Sequence, residues 1–116
     1  TVERLSQERG IEAFYSILDE TEPFEAPHHS PLVRAFTLGV MDVEHTRPTL
    51  IRKTGTGDMN VIGNRLNIPV VTYGPGDPHE AHTIDEKVSI DEYLRGIEIL
   101  KKTLQHLKRL HDRKMQ

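Results

Sequence analysis

The stretch from Ser89 onward constrains this chain more than any other. Ser89 and Glu92 form an S-x-x-E capping box, with Val88 and Tyr93 at hydrophobic-staple positions. Leu94, Ile97, Leu100, Leu104, Leu107 and Leu110 then recur at helical spacing. Asp91 and Glu92 fall in the first turn, and Arg109, Arg113 and Lys114 crowd the end, which suits the helix dipole at both termini. The pattern predicts a long terminal helix.

Upstream, the signals alternate. Ile11 to Leu18 has strand composition, and Glu20 to His29, with two prolines and several acids, reads as a connector. Ser30-Pro31 opens a helix, serine as N-cap and proline at the first helical position. Leu32, Val33, Phe36 and Val40 are its expected buried stripe. Pro48 to Arg52 fits a short strand, followed by the glycine-rich turn Lys53-Thr-Gly-Thr-Gly-Asp58. Met59 to Leu66 fits a helix with Met59, Ile62 and Leu66 on one face. Ile68 to Tyr73 reads as a buried strand ended by Gly74-Pro-Gly-Asp-Pro78. Strand, helix, strand, helix, strand, helix predicts an α/β fold, part of a mostly parallel sheet with packed helices.

Composition narrows the function. The 116 residues are 35% hydrophobic and 28% charged, a globular mixture. The net charge of -3 gives no support for nucleic acid or an anionic membrane as partner. No apolar run reaches the roughly 20 residues of a membrane span. The absence of cysteine excludes disulfides and thiolate sites and fits a reducing cytoplasm.

Two segments can carry chemistry. Gly74 to Glu86 holds His79, His82, Asp77, Asp85 and two glutamates beyond the end of an expected core strand, where open α/β sheets bind ligands. Imidazole and carboxylate suit zinc or a similar ion, but the spacing matches no complete metal motif, and a solvated polar loop is the competing reading. The turn Thr54 to Asp58 opens a helix, so its N–H groups can hold an anion. Arg52 and Lys53 add positive charge, while the nucleotide-loop spacing is missing. A plain N-cap turn is the alternative. His28, His29 and His45 fall in connectors, and His106 and His111 on a basic, solvated face of the last helix.

Taken together, Arg52-Lys-Thr-Gly-Thr-Gly-Asp-Met-Asn60, Ile68-Pro-Val-Val-Thr-Tyr-Gly-Pro-Gly76, Ala81-His-Thr-Ile-Asp-Glu86 and the terminal helix resemble one family. It is that of acetylornithine deacetylase, succinyl-diaminopimelate desuccinylase and glutamate carboxypeptidase, and the likeness is greatest to its acetyl-lysine deacetylase branch. That branch removes an N-acyl group in lysine or ornithine biosynthesis, in some members from an amino-group carrier protein.

The resemblance implies a catalytic α/β domain interrupted by a dimerising lid. Residues 1–27 would be the end of the lid and the return connector, and 28–116 the C-terminal portion of the catalytic domain. It implies two zinc or cobalt ions held by five side chains, of which His82 alone falls here. The bridging aspartate and the glutamate base lie in the family's N-terminal part. The family's Gly-Thr-Ser-Asp substrate turn maps to Gly55, Thr56, Gly57 and Asp58, with glycine in place of serine at 57. Thr56 and the turn N–H groups would hold a substrate carboxylate, aided by Arg52. Pro78 stands where some relatives carry a substrate-contacting asparagine. On this reading the chain is not a complete enzyme and is inactive alone. A non-catalytic α/β binding or assembly module is the other class.

Overall fold

In a computed structural model, which describes residues 1–115, the chain folds as four helices: α1 (Val2–Arg9), α2 (Pro31–Glu44), α3 (Asp58–Leu66) and α4 (Ile90–Lys114). The expected sheet is absent: no strand forms among the described residues. Ile11 to Leu18, Pro48 to Arg52 and Ile68 to Tyr73 run without a paired strand. Strand composition supplies faces that suit a sheet, but a strand exists only through a partner that takes its N–H and C=O groups. Pro48 and Pro69 also remove donors from two of the three segments.

The caps explain where helices begin. Ser30 Oγ accepts from Val33 N at 3.3 Å and Ser89 Oγ from Glu92 N at 3.1 Å. Glu92 does not return to the N-cap as a capping box would; its carboxylate goes to Gly76 instead. Helix α1 was not legible as a periodic pattern. It has Glu3 in its first turn, an Arg4–Glu8 pair at 3.6 Å and a left-handed Gly10 at its end.

Among the described residues α2 and α4 are the two helices that pack on each other. The seam buries Ala35 and Ile99, with Thr103 satisfied by Ile99 O at 2.8 Å, and Val33 is buried as well. Gly39 lets the axes approach: a β-carbon there would stand 3.0 Å from Ile99 O and from Thr103 N. The face of α4 closest to α2 is that of Ile99, Thr103 and His106, with Leu110 half-buried at its edge beside Arg34 and Leu38. Leu94, Leu100 and Leu104 are exposed, the last at 67%. Accordingly the surface is 10127 Å², against roughly 6,400 Å² for a compact monomer of this mass. The radius of gyration is 19.7 Å, where a compact domain of this length has about 13 Å.

Candidate functional site

The turn and the segment before Gly74 do come together. Lys53, Gly55, Gly57, Asp58, Met59 and Ile62 face Val70 to Tyr73 across an open cleft of about 370 Å³. Gly57 is the N-cap of α3, with extended backbone (φ -169°) and no side chain to cap with. Its N–H is taken by Asn60 Oδ1 at 3.2 Å, and Asn60 N–H returns to Gly57 O at 3.0 Å. The first N–H groups of a helix have no intrahelical partner. Those of Asp58 and Met59 are therefore the open donors here, and Lys53 adds a cation beside them.

Arg52 points elsewhere. Its guanidinium binds Glu25 Oε1 through Nε and Nη2, at 3.2 and 3.0 Å. Thr56 is exposed beside the cleft without lining it. The connector is drawn onto α3 at the same place. Glu22 O accepts from Asn60 Nδ2 and Asn64 Nδ2, and the Phe24 ring lies over Gly63. Asn60 was missed by the sequence reading. Its position, three residues after the N-cap, is where a capping-box side chain reaches back, and that was the available signal.

His82 sits in the exposed loop after Gly74 with a left-handed backbone (φ 64°), a conformation uncommon outside glycine. Its N–H donates to Glu86 Oε2 at 3.0 Å, and Thr83 Oγ1 donates to Glu80 O at 2.7 Å. His79 pairs with Asp77, Nδ1 to Oδ1 at 2.9 Å. The His79 backbone N–H, and then its ring, hold the Asp77 carboxyl below its usual range. His82 is not among the residues lining the cleft. No group of three or more metal-binding side chains forms among the described residues. One imidazole does not fit a catalytic metal site, where three protein ligands are usual.

The basic face of α4 also departs from expectation. His106 is 16% exposed, not solvated, and its Nε2 meets Asp42 Oδ2 at 2.9 Å. That bond, chiefly, holds the Asp42 carboxyl below its ordinary value. Tyr73 packs against Phe36 with ring centroids 5.4 Å apart. Burial, then the Glu44 and Glu92 carboxylates, raise its hydroxyl pKa.

The profile of peptidase family M20/M25/M40 matches residues 10–106. This chain belongs to that family. A relative from Thermococcus kodakarensis, provisionally named LysW-lysine/LysW-ornithine hydrolase, is 41% identical over 85% of this chain. A Saccharolobus islandicus protein named LysW-lysine/LysW-ornithine hydrolase is 36% identical over 70% of it. The matched regions are 28% and 23% of those relatives, so this M20 chain spans under a third of their length. No solved structure matches. Among the described residues no helix is long and apolar enough to cross a membrane.

Proposed function

We propose that this chain is the C-terminal portion of a metal-dependent amidohydrolase of lysine or arginine biosynthesis. Its substrate would be acetyl-lysine, acetyl-ornithine or the same amino acids joined to a carrier protein. Family membership and the names of the relatives support the reaction class. The observation that carries the site is the start of α3: two open N–H groups, at Asp58 and Met59, beside Lys53 in one cleft. Such a cradle suits a carboxylate. Gly55 and Thr56 form the approach to it, and Arg52, neutralised by Glu25, adds a weaker field.

The whole enzyme would hydrolyse a linear amide with two divalent ions, zinc or cobalt, to which this chain contributes one donor, His82. The other donors, and the surface that covers the exposed leucines of α4, would come from the N-terminal part of the same enzyme. Residues 1–27 would close the lid, through which the enzyme would dimerise, and residues 28–116 the catalytic domain, in a cytoplasmic protein.

Thr56→Phe in the full-length, metal-loaded enzyme tests this reading. A bulky side chain beside the cradle should raise KM for N-acetyl-lysine while bound metal stays unchanged. Equal loss of metal and of substrate affinity would contradict it.

A further inference from the structure

We propose that Asn60 is a positioning residue for the substrate, holding the Gly55–Asp58 turn to the connector around Glu22; this rests on the turn being the substrate cradle. Asn60 is buried, at 8% exposure, and both ends of its amide are used. Oδ1 accepts the Gly57 N–H at 3.2 Å, and Nδ2 donates to Glu22 O, 38 residues earlier, at 3.0 Å. One orientation of the amide satisfies both partners, so the side chain cannot flip without losing both bonds.

Gly57 needs such a brace. It has no side chain, and nothing lies within 4 Å of where a β-carbon would be. Left to itself, a glycine at the N-cap gives the turn freedom that a serine would remove. Asn60 supplies the missing restraint from inside the helix. By occupying the Gly57 N–H it also decides which donors remain for a ligand, namely those of Asp58 and Met59. The anchor at the far end is itself fixed. Asn64 Nδ2 donates to the same Glu22 carbonyl at 3.1 Å, Phe24 covers Gly63, and Glu25 pairs with Arg52 at 3.0 Å. The turn is thus referenced to the connector through one side chain.

The test is steady-state kinetics on the full-length, metal-loaded enzyme with N-acetyl-lysine. Asn60→Ala should raise KM about three- to tenfold, the span of one or two lost hydrogen bonds, with kcat and metal content nearly unchanged. Asn60→Asp keeps the acceptor for Gly57 but loses the donor to Glu22 O and sets a carboxylate against that carbonyl, so KM should stay raised. Asn64→Ala removes the second donor on the same carbonyl without touching the turn and should raise KM by less than Asn60→Ala does. A lower melting temperature with unmoved KM in Asn60→Ala would overturn the proposal. So would a wild-type KM in Asn60→Asp, which would show that the bond to Glu22 is not needed, or an equal KM rise in Asn64→Ala.

If Asn60→Ala does not fold, amide exchange in the native enzyme decides. A protected Gly57 N–H, with Asp58 and Met59 protected only after N-acetyl-lysine is added, supports the proposal; a fast Gly57 overturns it. If Thr56→Phe also leaves KM unmoved, the substrate cradle itself is wrong. If Thr56→Phe raises KM and Asn60→Ala does not, the positioning role alone fails.

Discussion

The Glu92 carboxylate accepts the Gly76 N–H at 3.1 Å, so the first turn of α4 holds the loop that carries His82. Gly76 has φ +104°, a conformation that side chains rarely adopt, and the bond fixes the loop just after it. Glu92→Ala should speed hydrogen exchange at Gly76 while the Ser89 cap keeps α4 intact by circular dichroism. The expected loss of stability is about 1 kcal/mol, one hydrogen bond. Unchanged exchange at Gly76 would show that the loop is held by other contacts.

Gly39→Ala should destabilise the α2–α4 seam by about 1–3 kcal/mol, because the added methyl meets Ile99 O and Thr103 in a tight crossing. Gly57→Ala is the matched control. Its backbone is extended and the space is open, so the change should stay within about 0.5 kcal/mol. Thermal melts of both variants check the contrast.

Acid should weaken the same seam through Asp42. His106 holds its carboxyl below the ordinary 3.8, so the contribution to stability is present above that value and is lost as pH falls through the lowered one. Asp42 is exposed, so the effect is small. Asp42→Asn should flatten the melting temperature's dependence on pH below about 4. A wild-type slope in that variant would assign the acid response to other carboxylates.

The sequence made the helix starts legible because caps are local: Ser30 and Ser89 bind N–H groups three residues on. The turn before α3 was legible for the same reason. The strands were overread, since Ile68 to Tyr73 has the composition of a strand but no strand paired with it among the described residues. Periodicity found the helix of α4 but not the face that packs closest on α2. Leucines mark what is apolar, whereas Gly39 decides which face of α4 comes close, and it selects Ile99 and Thr103. His106 was taken for solvent because its partner, Asp42, lies 64 residues away. Asn60 was overlooked for a like reason, its second partner being a backbone carbonyl in a distant connector.

The 116-residue chain with added zinc or cobalt should not hydrolyse N-acetyl-lysine or N-acetyl-ornithine. No three donors converge among the described residues, and a catalytic site of this kind needs at least three. Metal-dependent turnover by this chain would contradict that.

We propose that the loop after Gly74 supplies one metal ligand to the whole hydrolase, and that this ligand is His82. His79 is the rival, three residues away and already paired with Asp77 at 2.9 Å. The deciding measurement is metal content by mass spectrometry, with a deacylation assay, on His82→Ala and His79→Ala in the full-length enzyme. His82→Ala should lose one metal and nearly all turnover, and His79→Ala should keep both metals and remain active. The reverse pattern, or two metals retained in His82→Ala, would contradict the assignment.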